Sequence, residues 1–117
     1  MVAAEEGRVT FELDVGPQHT SPPGTVHGGI LCDLADAAMG CANATRLEPD
    51  ETFTTVELKI NFLKPVWSAR LTAEARVVKR GRTVGLVECD VFDEGRSLVA
   101  RATSTCLTLA GQSADGR

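Results

Sequence analysis

The sequence predicts an α+β fold, a curved antiparallel β-sheet wrapped around one long central helix, on three observations. A single alternating segment comes first, one alanine-rich apolar segment follows, and the remaining half of the chain reads as consecutive alternating segments joined by short turns. At 117 residues there is room for one modest hydrophobic core, so 1–117 is read as a single domain.

Residues 8–15 (RVTFELDV) alternate apolar and polar side chains, the period of a half-buried strand. Residues 16–24 (GPQHTSPPG) concentrate glycine and proline, which excludes regular pairing and predicts a loop. The chain then changes character. Residues 28–45 (GGILCDLADAAMGCANAT) are apolar on nearly every side, with Asp33 and Asp36 the only charges, as in a buried helix. A turn-rich link, 46–51, leads to four strands at 53–63, 71–79, 83–92 and 98–109. Pro65 marks an edge or bend after the first of these, and turns at Gly81 and 93–95 join the others as hairpins. The polar segment 111–117 is expected to be a loose tail. Five strands from one chain cover only part of a helix that is apolar all round, so a second copy is expected to supply the rest.

The net charge of −4 argues against broad attraction to nucleic acid. No apolar run is long enough to cross a bilayer, and no apolar stretch follows a basic start; neither membrane nor secretory leader is expected, and the location is read as cytoplasmic. Cys32, Cys41, Cys89 and Cys106 are widely spaced without CxxC, and His19 and His27 lack a zinc spacing. Free thiols and no metal are expected.

The chemistry concentrates where the loop meets the helix. Gly28 and Gly29 leave backbone N–H groups uncovered at a helix start, where the dipole adds positive charge and an oxyanion can be held. Paired glycines also serve simply to pack a helix end closely. Asp36, within an otherwise apolar helix, must be satisfied, exposed or retained for use, and Asp33 competes for the same role three residues away. Lys79, Arg80 and Arg82 surround Gly81 in a tight turn that is either a solvated basic loop or a cradle for phosphates.

The stretch GTVHGGILCDLADAAMG resembles the signature of PaaI-type hotdog thioesterases, in which HGG opens the central helix and an acid follows nine positions after the histidine; here that acid is Asp36. The resemblance continues through TFTTVELKINFLKPV, LTAEARVVKRGRT and RATSTCLTL, covering nearly the whole chain. It implies a hotdog fold and hydrolysis of an acyl-CoA thioester, with coenzyme A part of the substrate and no further cofactor. It also implies roles: the Gly28 N–H polarises the thioester carbonyl, Asp36 activates water or attacks as nucleophile, Thr55 positions the water, and His27 orients the loop or touches the carbonyl. Ser21 stands where relatives often carry Asn or Gln as a second carbonyl donor, with Gly29 beside the substrate and Lys79, Arg80 and Arg82 toward the phosphates of coenzyme A. Ala37, Ala38 and Met39 suggest a small apolar or aromatic acyl group. The expected assembly is a homodimer pairing into a homotetramer. Gly28 and Asp36 are eight residues apart, roughly 12 Å along a helix, which is too far to serve one carbonyl carbon from a single chain. The competing readings are a hotdog hydratase or dehydratase, for which His27 lies in the wrong context, and a non-catalytic acyl-CoA binding module.

Overall fold

Period-two alternation becomes strand over almost the segments expected. In the computed structural model, which describes residues 1–20 and 24–110, the strands are β1 (Ala3–Glu5), β2 (Arg8–Val15), β3 (Glu51–Phe62), β4 (Ala69–Arg80), β5 (Val84–Phe92) and β6 (Leu98–Ala110). They form one antiparallel sheet in the order β1-β2-β4-β5-β6-β3, with the helix α1 at Gly28–Ala44 against one face. Ser21 and the expected tail at 111–117 lie outside the described residues.

The sheet holds six strands where five were expected. The extra strand, β1, is short and exposed throughout, so it carries no alternation to detect. It exists because Gly7 turns the chain at φ 79°, a conformation that favours glycine, and pairs Ala3 with Thr10. Thr45, capping the end of α1, accepts the Gly7 N–H at 2.7 Å and donates to the Ala42 carbonyl at 2.6 Å, tying this hairpin to the helix.

The helix is covered only in part by its own chain, as five strands were expected to cover it. Leu31, Leu34, Ala35, Ala38, Met39, Ala42 and Asn43 are buried, chiefly against β4, β5 and β2. Gly29, Asp33, Asp36, Ala37 and Ala44 are exposed, so α1 is covered on one side only within the chain. Small residues misled the reading: alanine and glycine count as apolar in sequence but define no buried face by themselves. Ala38 and Met39, at 0 % exposure, face the sheet and cannot line an acyl pocket as expected of them; Ala37 is open.

Because Met39 fills the contact between helix and sheet, Met39→Ala leaves a hole and lowers unfolding stability by about 2–5 kcal/mol, measurable by urea titration. Burial also pushes the Cys89 thiol up to about 12. At pH 8 only about one Cys89 in 10,000 is then thiolate, so in mass-spectrometric labelling of the native protein it reacts far more slowly than the half-buried Cys32 and Cys41. Equal labelling of all three would show that this interior opens readily.

Candidate active site

His27 takes an extended backbone (φ −63°, ψ 133°) and caps α1, its Nδ1 accepting the Gly29 N–H at 3.1 Å. Its own N–H donates to the His19 carbonyl at 2.8 Å, and the Val26 N–H to the Val66 carbonyl at 2.6 Å. The approach to the helix is thus held between the 3-10 turn Pro17–His19 and the link from β3 to β4. Capping occupies the Gly29 N–H. The Gly28 N–H has no acceptor among the described residues and sits at the positive end of the helix.

Gly28 is glycine for a reason of space. A Cβ there would stand 3.0 Å from Cζ of Phe62, whose ring lies across the start of the helix. Gly28, Val26, Leu31, Phe62, Pro65 and Val66 line an apolar groove of about 400 Å³, with Lys64 at its rim held by Asp93. The lysine ammonium, with the Ser97 and Gly95 N–H groups, holds the Asp93 carboxyl below its ordinary range. Neither Phe62 nor this groove was anticipated; the alternation of 53–63 is a strand signal that does not reveal which side chain bends over the helix start. A second hollow of about 340 Å³, beside β1, contains none of the expected site residues.

Asp36 lies at the middle of α1, eight residues beyond Gly28. A Cβ on Gly40 would be 3.6 Å from Cζ of Phe53, so β3 runs antiparallel to α1, its end near Gly28 and its start near Gly40. Asp36 faces this middle part of the sheet, where its charge and the Thr55 hydroxyl both bear on Cys106. Thr55 is paired with Cys106 of β6, their Oγ1 and Sγ atoms 4.0 Å apart. The Cys106 thiol is raised mainly by burial; contacts with Ser104 and Thr55 act in the opposite sense, and the negative charge of Asp36 adds to the rise. Neither Asp33 nor Asp36 has a hydrogen-bond or ion-pair partner among the described residues. Asp36, expected in a buried helix, is exposed and needs no compensating partner within the chain.

The three cations of the β4–β5 turn separate. Lys79 and Arg82 are exposed. Arg80 is not placed to greet a ligand: its Nη2 donates to Glu51 Oε1 at 2.8 Å and its Nη1 to the Gly81 carbonyl at 2.7 Å. No group of three or more His, Cys, Asp and Glu side chains stands together as a metal would require among the described residues. No helix among them is long and apolar enough to cross a membrane.

Comparison with known proteins agrees with this architecture. Residues 23–100 match the family model of the thioesterase superfamily. A Saccharolobus solfataricus protein provisionally named an esterase is 34% identical over 102 residues, covering 87% of this chain and 72% of that one. The 1,4-dihydroxy-2-naphthoyl-CoA hydrolase of Listeria monocytogenes is 29% identical over 105 residues, 90% of this chain and 85% of that one. Among solved structures, the PaaI protein of Escherichia coli superposes with a TM-score of 0.85 at 25% identity, covering 92% of this chain and 76% of that one. The helix opened by HGG, the six-stranded sheet around it and these matches agree: the chain is a PaaI-like hotdog protein of the thioesterase superfamily.

Proposed function

We propose that the protein hydrolyses acyl-CoA thioesters to a free acid and coenzyme A, at sites each shared by two copies of the chain. The observation that carries this reading is the separation along α1 of two groups: an N–H without an acceptor among the described residues at Gly28, and, at the middle of the helix, the exposed Asp36 carboxylate, whose charge bears on Cys106 opposite Thr55. Between them runs β3, the last strand of the sheet, whose outer edge has no neighbouring strand among the described residues. It is twelve residues long and followed by an apolar link, with Val56, Phe62, Leu63 and Trp67 each more than half exposed. Such an edge is ordinarily covered. A second copy laid antiparallel along it carries its Gly28 toward this chain's Asp36.

In that arrangement the thioester oxygen accepts the Gly28 N–H as negative charge develops, and the helix dipole adds to the attraction. The partner's Asp36 takes a proton from water as its oxygen bonds to the carbonyl carbon, and Thr55 holds that water. The C–S bond then breaks, and the departing thiolate receives the proton. Direct attack by Asp36 on the carbonyl carbon is the alternative first step: the C–S bond breaks, coenzyme A leaves as thiolate, and water then opens the resulting anhydride to the free acid and the regenerated carboxylate, its proton passing to the thiolate. His27 acts through the loop, fixing the direction of the Gly28 N–H.

The relative from Listeria is named for an aromatic acyl-CoA, and the groove beside Gly28 is apolar; both favour an aryl or medium-length acyl group. The test is release of free thiol from a panel of medium-chain, long-chain and aryl acyl-CoAs. Release supports hydrolysis; hydration of an unsaturated acyl group without release points to a hydratase, and tight binding with neither to a binding module.

A further inference from the structure

We propose that Arg80 is a positioning residue, a strut braced on Glu51 that sets the β4–β5 turn so that Lys79 and Arg82 face the phosphates of coenzyme A. This rests on reading the turn as the phosphate site of the proposed thioesterase.

The strand itself assigns the inward and outward roles. From Leu71 to Ala75 the odd-numbered residues of β4 are buried and the even-numbered ones less so. The register against β5 then shifts: Val77 pairs with Val87, but Lys79 pairs with Leu86, leaving Val78 as an extra residue. A bulge of this kind reverses the alternation beyond it. Lys79 therefore turns outward where the original period would have buried it, and Arg80 turns inward. The side chain of Arg80 is 14% exposed and that of Glu51 16%.

The guanidinium then joins three places. Nη2 reaches Glu51, the first residue of β3, and Nη1 reaches the Gly81 carbonyl within the turn, with a longer contact of 3.5 Å to the Arg82 carbonyl. Nη1 is thus given to the very backbone that carries Arg82, while the buried Nε has no partner among the described residues. Gly85 of β5 packs beside its stem, where a Cβ would stand at an ordinary contact distance of 3.9 Å from Arg80 Cδ. A planar fork with several fixed donors suits this bracing, and lysine could not reproduce it.

Glu51 supplies a test in which the two roles for Arg80 give opposite signs. If Arg80 itself contacted phosphate, Glu51→Ala would remove a competing anion, free the guanidinium and tighten coenzyme A binding. If Arg80 is a strut, the same change loosens the turn and weakens binding. Calorimetry with coenzyme A is expected to give about a tenfold loss for Lys79→Ala with Arg82→Ala, and about a three- to fivefold loss for Glu51→Ala. Glu51→Gln, which keeps an oxygen for Nη2, should stay within about twofold of the parent. Arg80→Met should weaken binding about as much as Glu51→Ala, and the two together little more than either, since both break one brace. Pantetheine, lacking the phosphates, should show no such differences.

Tighter binding by Glu51→Ala overturns the strut and leaves the phosphate site standing. Unchanged binding by Lys79→Ala with Arg82→Ala removes the phosphate site, and the proposal with it. Equal losses for coenzyme A and pantetheine, or no recovery in Glu51→Gln, would reduce Arg80 to a general stabiliser of the fold.

Discussion

If Asp36 is the base proposed above, Asp36→Asn is expected to lower the turnover of acyl-CoA by at least about 100-fold, the usual contribution of a positioned base. The fold should be indifferent to the change. Asp36 is exposed, and no described residue bonds or pairs with its carboxylate, so asparagine leaves nothing buried without a partner. The expected change in stability is that of an ordinary surface substitution, within about 0.5 kcal/mol. Asp33→Asn is the matched control, an equally exposed acid on the same helix. What distinguishes the two is Asp36's neighbourhood: its charge bears on Cys106, and Cys106 lies opposite Thr55. Steady-state kinetics of both variants, with melting curves alongside, decide the matter. Comparable loss from Asp33→Asn alone would mean that the wrong carboxylate has been given the role.

Most of the architecture was legible because this fold uses each period where it is cleanest. The strands β4, β5 and β6 bury one face against α1 and alternate accordingly, and α1 is the one stretch that is neither alternating nor polar. What escaped were features set by tertiary contact. Strand β1 is fixed by the Gly7 turn and the Thr45 hydroxyl, not by its own side chains. The burial of Arg80 follows from one extra residue at Val78, invisible when cations are counted along the chain. The placement of Phe62 over Gly28 depends on how β3 crosses the helix. The acid nine residues beyond His27 could be chosen from a pattern, but that it would lie open to solvent could not, since alanine is as much at home on a bare face as on a packed one.

Two inactive variants should restore activity to each other when they share an oligomer. Gly28→Pro removes the N–H proposed to polarise the carbonyl, and Asp36→Ala removes the proposed base; each alone is expected to be nearly dead. Proline suits the backbone at Gly28: it is the first residue of α1, where no intrahelical N–H is needed, and His27 before it has the extended ψ of 133° that proline demands. Its ring atoms do press on Phe62, because a Cβ there stands 3.0 Å from Cζ. Gly28→Ala adds the same Cβ but keeps the N–H, so it should retain far more activity than the proline variant and thereby isolate the donor from the crowding. Mixed by unfolding and refolding in equal amounts, Gly28→Pro and Asp36→Ala should form about half heterodimers if assembly is random. In each, one site combines the intact Gly28 N–H of one chain with the intact Asp36 of the other, and the second site is damaged twice. About a quarter of wild-type activity should return, measured as thiol release after mass spectrometry has confirmed the mixed species. Were Gly28 and Asp36 to serve one site within a single chain, every site in the mixture would lack one of them and nothing would return. The roughly 12 Å along the helix between the two residues predicts recovery.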